Sequence, residues 1–469
     1  MPSNPHESVG AGRIAASEPT DWRPLLACCL ATFVLLAYTT IVTVSAATIA
    51  DDLGAGFALS QWIIDVYTLG LAALVLAMGT LGDRLGHRRL FLTGLVAFCA
   101  ASVACAVATS GGMLAVARAA QGIGGAAIFA TAVPLLTQCY TGRTRGIAFA
   151  VWGAVAGAGS TVGTIAGGAV TQFVSWRWLF LGALPVCALA VAIGSISLAR
   201  ERPRRVRVDV LGTTLVTTAM GGTTYAVING GENGWMSPGT IGGGVVALAS
   251  ICSFVPSQRR AVHPALPPSL FATREFTAVL LVGFAYYFAA FAALPVLARW
   301  LQTEQAMSPL RAALVLTIQL VAFILVSLMV SARLHDAPRS WVLGGGTLLT
   351  GLACLTGAAL LAWPDWTTVI AMLAVTGIGA GIVSPVLPAV AAASVPPARA
   401  GTAAAAANAA RQLGLTIGIA LCGALSQTAH VSGSTTGGVV TALIACGAVA
   451  LCGGAISAVL LRPVEAVTA

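Results

Sequence analysis

Long apolar runs separated by short polar breaks organise this chain. About fourteen runs of roughly 18–25 residues can be read, near 24–46, 62–82, 90–109, 113–137, 146–170, 178–199, 209–230, 238–256, 276–297, 309–332, 341–362, 367–391, 402–426 and 437–461. Each is long enough to cross a hydrocarbon core of roughly 30 Å as a helix. The seventh and eighth runs are diluted by Gly and Thr, and without them twelve remain. A helix satisfies its own backbone hydrogen bonds, so the pattern predicts an all-α integral membrane protein.

Composition sharpens this. Of 469 residues 58% are hydrophobic and only 8% charged, with a mean hydropathy of +0.91. A soluble domain carries about a quarter charged residues. All 24 basic residues are Arg. Those in loops mostly follow the even-numbered runs, with Arg177 and Arg299 against the trend: Arg84, Arg88 and Arg89 after the second, Arg143 and Arg145 after the fourth, Arg200 to Arg207 after the sixth. Odd-numbered loops instead carry Asp51, Asp52, Glu232, Glu304 and Asp365. The positive-inside rule then places both termini in the cytoplasm of a multi-pass cell-membrane protein. Charge scattered over short loops forms no face for nucleic acid. The first 20 residues are polar and lack an apolar core before a cleavage site, so no signal peptide is expected. The 11 Cys lie mostly singly inside runs, without C-x-x-C spacing, and read as small hydrophobes.

The chain also repeats itself. An offset of 255 residues brings Gly122, Gly124, Gly146, Gly159, Gly163 and Gly168 onto Gly377, Gly379, Gly401, Gly414, Gly418 and Gly423. The offset spans eight runs, an even number, so the repeat is parallel; substrate sites of such transporters lie between the halves. Six-helix halves leave the seventh and eighth runs as insertions. The expected division is a cytoplasmic tail (1–23), a six-helix bundle (24–199), two accessory helices with basic and Pro-rich connectors (200–275), a second six-helix bundle (276–461) and a tail (462–469).

After the second run the chain reads Gly79-Thr80-Leu81-Gly82-Asp83-Arg84-Leu85-Gly86-His87-Arg88-Arg89. Glycines there permit a tight reversal, and Asp83 with the arginines can clamp neighbouring helix ends. An ordinary positive-inside loop explains the arginines but not the G-x-L-x-D-R-x-G framework. A shortened copy, Leu334 to Arg339, follows the tenth run. The framework resembles the first-loop signature of the major facilitator superfamily. Arg118, Gln121, Gly122 and Gly125 resemble the fourth-helix motif of its drug:proton antiporters, and Gly159, Gly163, Thr164, Gly167 and Gly168 their antiporter motif. Trp176-Arg177-Trp178-Leu179-Phe180 resembles another mark of those antiporters, and the thirteenth run, with Asn408, Arg411, Gln412, Gly414 and Gly418, is similar to the equivalent helix of the fourteen-helix branch. Three positions depart from it: Thr164 stands where Pro is usual, Ala183 where Asn is, and Tyr38 where the first helix often has Asp. The resemblance implies a major facilitator fold of about 14 transmembrane helices, two six-helix bundles plus two inserted helices. It also implies proton-driven export of a small molecule by a monomer.

The residues have their own reading. Gly159, Gly163 and Gly167 share a stripe that lets another helix approach closely, and a purely structural role explains most of it. Asp65 is the clearest acid inside a run, about one turn from the run's outer end. Charge there is costly and marks a proton-coupling carboxyl, or else an acid at the water interface. Arg118 and Arg411 are the bases inside runs. Arg118 is expected to face Asp65 or a proton path; the alternative for both is an Arg that snorkels or bonds helix carbonyls. Phe284, Phe288 and Phe291 share a face that lines a pocket or meets lipid. Tyr38, Trp62, Gln121, Phe284, Phe288, Gln319, Asn408 and Arg411 are the candidate cavity residues. With few acids nearby, lipophilic neutral compounds or weak cations are the expected substrates. No metal site or P-loop is evident and His263, His335 and His430 are isolated, so neither a cofactor nor enzymatic chemistry is expected. An importer on the same fold is the alternative.

Overall fold

A backbone in hydrocarbon must find all its hydrogen bonds within its own segment, and the apolar runs fold accordingly as helices. The computed structural model describes residues 21–199, 209–262, 264, 266–334, 337–361, 365–396, 399–431 and 435–461. In chain order these form α1 (Arg23–Asp52), α2 (Phe57–Leu85), α3 (His87–Ala106), α4 (Gly111–Cys139), α5 (Gly142–Phe173), α6 (Trp176–Leu181), α7 (Ala183–Ser197), α8 (Val210–Asn233), α9 (Pro238–Arg260), α10 (Arg274–Phe291), α11 (Leu294–Thr303), α12 (Pro309–Leu334), α13 (Gly346–Leu360), α14 (Trp366–Ala393), α15 (Ala400–Val431) and α16 (Thr435–Leu460). The sixth run is broken at Gly182 into α6 and α7, and the ninth at Ala292 and Ala293 into α10 and α11. A π-helical turn, Ser340–Gly345, opens the eleventh. Fourteen passes result, thirteen of them long and apolar enough to span a bilayer by composition. The remaining one is α8, whose 24 residues include the Gly and Thr that dilute its run.

Helices α1–α7 and α10–α16 form two bundles with matching internal packing. In the first bundle α1 packs on α5, α2 on α4 and α3 on α4; in the second, α10 packs on α15, α12 on α14 and α13 on α14. The paired glycines sit at corresponding contacts. A methyl at Gly159 would lie 2.6 Å from the Phe33 carbonyl oxygen of α1, and one at Gly414 would strike that of Phe284 on α10. Gly122 abuts the Tyr67 carbonyl and Gly377 that of Gln319. Gly168 and Gly423 meet the opposite bundle, at Pro309 and Gln61. Gly146 meets open space instead. At Gly122, Gly159, Gly377 and Gly414 the repeat therefore records backbone-to-backbone approach, where any side chain would push helices apart, whereas Gly418 and Gly423 receive side chains.

The bundles meet along two seams, α5 with α12 and α2 with α15. Contact is concentrated at the face carrying Asp52 and Phe57. There Gln302 Nε2 donates to the Val44 carbonyl (3.1 Å) and the Leu310 amide donates to Gln172 Oε1 (3.3 Å). Along α12, Ala312, Ala313, Leu316, Gln319 and Leu320 are buried, whereas no described side chain from Val321 to Met329 is. Along α2 the buried stretch reaches Val75, and residues 76–81 are only half-buried. The molecule is closed at one membrane face and open at the other, where Gly86 and Thr141 lie. The inserted helix α8 packs across the α2–α15 seam and against α9.

Candidate functional site

Helix α2 starts at Phe57, so Asp65 lies eight residues in, about 12 Å along the axis and deeper than the single turn expected. It is 0% exposed, and neither carboxyl oxygen has a hydrogen-bond partner. Its direction follows from its neighbours. Gln61, one turn earlier, lies against Gly423 of α15. Ala72, Ala73 and Leu69 pack with Met220 of α8 and Leu413 of α15. At about 100° per residue, Asp65 falls about 40° from both Gln61 and Leu69, and so points where α2, α15 and α8 meet. Other polar groups in these three helices also lack partners: Gln61 Oε1, Gln412 Oε1 and Thr224 Oγ1, all on buried residues. Thr224 is unlike Thr213, Thr214, Thr217, Thr218 and Thr223 of the same helix, which each donate to the carbonyl four residues back.

Arg118 does not face Asp65. Its Nε donates to the Ile63 carbonyl (3.2 Å), Nη1 to Gln121 Oε1 (2.7 Å) and Nη2 to the Tyr38 carbonyl (3.3 Å), and the guanidinium stacks 4.3 Å from the Tyr67 ring centroid. Ile63 and Tyr67 lie about 160° around α2 from Asp65, so the helix itself separates acid from base. Gln121 passes the network on to Ser102 of α3 (2.8 Å). Arg118 thus ties α1, α2, α3 and α4 together inside the first bundle. Two expected cavity residues belong to this core: Gln121 is fully buried, and Tyr38 is 3% exposed with its hydroxyl on the Leu179 and Phe180 carbonyls of α6. Trp62 is half-buried.

The motif after the second run is mostly helix. Gly79, Gly82, Asp83 and Arg84 belong to α2, and Gly86 alone, at φ +95°, makes the reversal before α3. A one-residue junction needs the left-handed backbone that glycine adopts without strain. Asp83 lies 3.5 Å from His87, and Arg88 Nη2 donates to the Ser195 carbonyl near the end of α7 (2.6 Å), the clamp expected of the motif. Arg84 and Arg89 are not drawn into it: Arg84 is exposed at the end of α2 and Arg89 in the first turn of α3. In the copy after the tenth run, His335 and Asp336 lie outside the described residues, and Arg339 pairs with Glu275 at 3.1 Å. On α5, Gly159, Gly163 and Gly167 face successive α1 carbonyls, those of Phe33, Ala37 and Ile41. Thr164 is buried beside them and donates to the Ser160 carbonyl (3.0 Å).

In the second bundle the accessible stripe of α10 is Leu281, Phe284, Tyr287 and Phe291. Phe288, expected on that stripe, is 2% exposed because Gly418 of α15 packs on its ring. Gln319 is buried too, donating to the Ala290 carbonyl. Arg411 of α15 donates to Tyr287 Oη (2.6 Å) and to Asn408 Oδ1 (3.1 Å). Tyr287 meets Phe291, and Phe291 meets Phe323 of α12, with ring centroids 5.0 and 6.1 Å apart. The Phe323 ring lies beside Gly157 of α5, in the other bundle, so this stripe faces the space between bundles. Sequence periodicity did not mark Phe323, a lone aromatic in an aliphatic helix.

Residues 27–217 and 279–468 match the Major Facilitator Superfamily, leaving a gap over most of α8 and all of α9. The chain belongs to that family. Over 355 residues it is 34% identical to the "Uncharacterized MFS-type transporter EfpA" of Mycobacterium tuberculosis, a match covering 73% of this chain and 65% of that protein, less than two thirds of its length. It is 32% identical to a "Methylenomycin A resistance protein" of Streptomyces coelicolor, covering 88% and 87% of the two chains. Further relatives at about 30–34% identity are named as drug- or antibiotic-resistance proteins and efflux pumps. Among solved structures, an auto-inhibited POT family peptide transporter shares the fold, with TM-score 0.68 and 15% identity over 95% of this chain and 98% of that one. The protein is thus a multi-pass member of this transporter superfamily. A cavity of about 810 Å³ between the ends of α8 and α9, lined by Asp209, Leu215, Ser253 and Arg260 among others, includes neither Asp65 nor Arg411 and is not the candidate transport site.

Proposed function

We propose that this transporter exports a lipophilic small molecule in exchange for protons by alternating access, with Asp65 as the carboxyl that carries the proton. The observation that supports it best is the position of Asp65: buried without a partner in a seam between bundles that must separate when the closed face opens. An isolated carboxylate in a low-dielectric site costs several kcal/mol or more, so the closed seam is compatible with the neutral acid. Opening the seam admits water and lets the carboxylate form. Protonation and access are thereby linked, as exchange requires. The relatives named for antibiotic resistance support the outward direction. Per proton, 100 mV supplies about 2.3 kcal/mol, roughly a fifty-fold gradient of a neutral substrate.

A susceptibility panel in an exporter-deficient host tests the function. Expression should raise resistance to a subset of lipophilic compounds, and an uncoupler should abolish the gain. Sensitisation to those compounds, with uncoupler-sensitive accumulation, would instead mark an importer.

We also place both termini, and the open face, in the cytoplasm, on the alternation of Arg-rich and acidic loops. In a Cys-free background, Arg89→Cys should react with an impermeant maleimide only after permeabilisation, and Glu304→Cys in intact cells. The reverse pattern would invert the topology.

A further inference from the structure

We infer that Arg411 and the aromatic rings beside it form the docking site for a substrate that joins a flat apolar body to a carboxylate. This rests on the transporter reading above and adds the chemistry of the cargo. Arg411 holds a charge that nothing described neutralises. Among the described residues the ion pairs involve Arg23, His87, Arg177 and Arg339, not Arg411. Its two hydrogen-bond acceptors, Tyr287 Oη and Asn408 Oδ1, are neutral, and its Nε is buried with no acceptor at all. Arg118 shows the contrast: it is 1% exposed, sealed in the first bundle, and bonded through Nε, Nη1 and Nη2. Arg411 is half-buried, so part of it is accessible.

Geometry supplies the rest of the site. The Arg411 guanidinium lies 4.4 Å from the Tyr287 ring centroid, which fixes its plane. Tyr287, Phe291 and Phe323 continue from it as half-buried rings in edge-to-face contact, ending beside α5 of the opposite bundle. One end of the row is a planar donor fork suited to a carboxylate, and the other is apolar surface suited to a ring. Among the described residues no acid pairs with the fork: Asp65 faces the α2–α15–α8 seam. A cation would meet an unpaired positive charge instead of a counter-ion. A carboxylate cargo also suits the energetics, since moving an anion out and a proton in carries two charges in the favourable sense, and each gains about fifty-fold per 100 mV.

The test uses the purified full chain in nanodiscs and titration calorimetry with three probes of one shape: 2-naphthoate, its methyl ester and 2-naphthylmethylammonium. The carboxylate should bind at least about tenfold tighter than the ammonium. Arg411→Gln should weaken the carboxylate about ten- to a hundredfold while leaving the ester within about twofold. Phe323→Ala should weaken all three alike. If Arg411→Gln fails to fold, the ranking of probes on the wild type and on Tyr287→Phe decides the matter, with Tyr287→Phe expected to weaken the carboxylate most. Equal binding of carboxylate and ammonium, an unmoved carboxylate in Arg411→Gln, or no carboxylate binding up to millimolar concentration would overturn the site. These binding measurements need no proton gradient, so they can fail while coupling through Asp65 stands, and the reverse.

Discussion

Replacing Asp65 by Asn stops proton-driven export and leaves downhill exchange of substrate running. The amide has nearly the shape of the protonated acid and cannot ionise, so the α2–α15 seam closes over it as over the neutral carboxyl. The variant therefore folds, and it still interconverts between access states. What it loses is the difference in proton occupancy between them. Substrate-induced proton release from reconstituted protein should fall to background, while counterflow of labelled substrate stays within about threefold of wild type, a difference under 1 kcal/mol in barrier. Asp65→Glu should keep coupling with a displaced pH optimum, since one more methylene moves the carboxyl within the seam. Undiminished proton release from Asp65→Asn would show that coupling runs through another group.

Arg118→Ala should be the most destabilising single change in the first bundle. It strips hydrogen bonds from the Ile63 and Tyr38 carbonyls and from Gln121 Oε1 and opens a cavity beside Tyr67. Gln121 Oε1, buried and left without a donor, costs about 1–3 kcal/mol, and the helical carbonyls of Ile63 and Tyr38 lose their second, inter-helix bond. Arg118→Lys should resemble Ala more than wild type, because an ammonium cannot bond three acceptors on three helices and stack on Tyr67 at once. Thermal unfolding in detergent checks this: both variants should unfold well below wild type and transport poorly. An Ala variant with wild-type stability would mean that the guanidinium is not the tie between α1, α2 and α4.

The long elements were legible because hydrocarbon leaves a segment few options: run length alone predicts helix. The glycine repeat was legible because close approach tolerates no other residue at Gly122, Gly159, Gly163 and their partners. Rotation about each helix axis was much less so. Helices α2 and α4 are apolar on nearly all sides, so periodicity cannot say whether Asp65 and Arg118 face one another, and they do not. The aromatic stripe of α10 failed the same way: Phe284, Phe288 and Phe291 share a face by spacing, yet Gly418 removes Phe288 and leaves Tyr287 in its place. The interior breaks at Gly182 and at Ala292 are each followed within three residues by a proline, Pro185 and Pro295, a stop signal that the length of the apolar runs overrode. The Gly- and Thr-rich runs also hid the role of α8, because dilution weakens a spanning signal without saying what the polar groups touch.

The placement of α8 makes the two flanks of the transporter unequal towards the bilayer. On one flank α8 stands across α2 and α15 and fills the line between the bundles with Met220, Ile228 and Gly231. On the other, α5 and α12 present Val151, Val162, Leu325 and Leu328, between 41% and 57% exposed, on their outer sides. A compound that dissolves in the acyl chains and diffuses laterally meets a wall from the first side. From the second it meets the apolar outer sides of α5 and α12, which pack directly on one another with no inserted helix of their own.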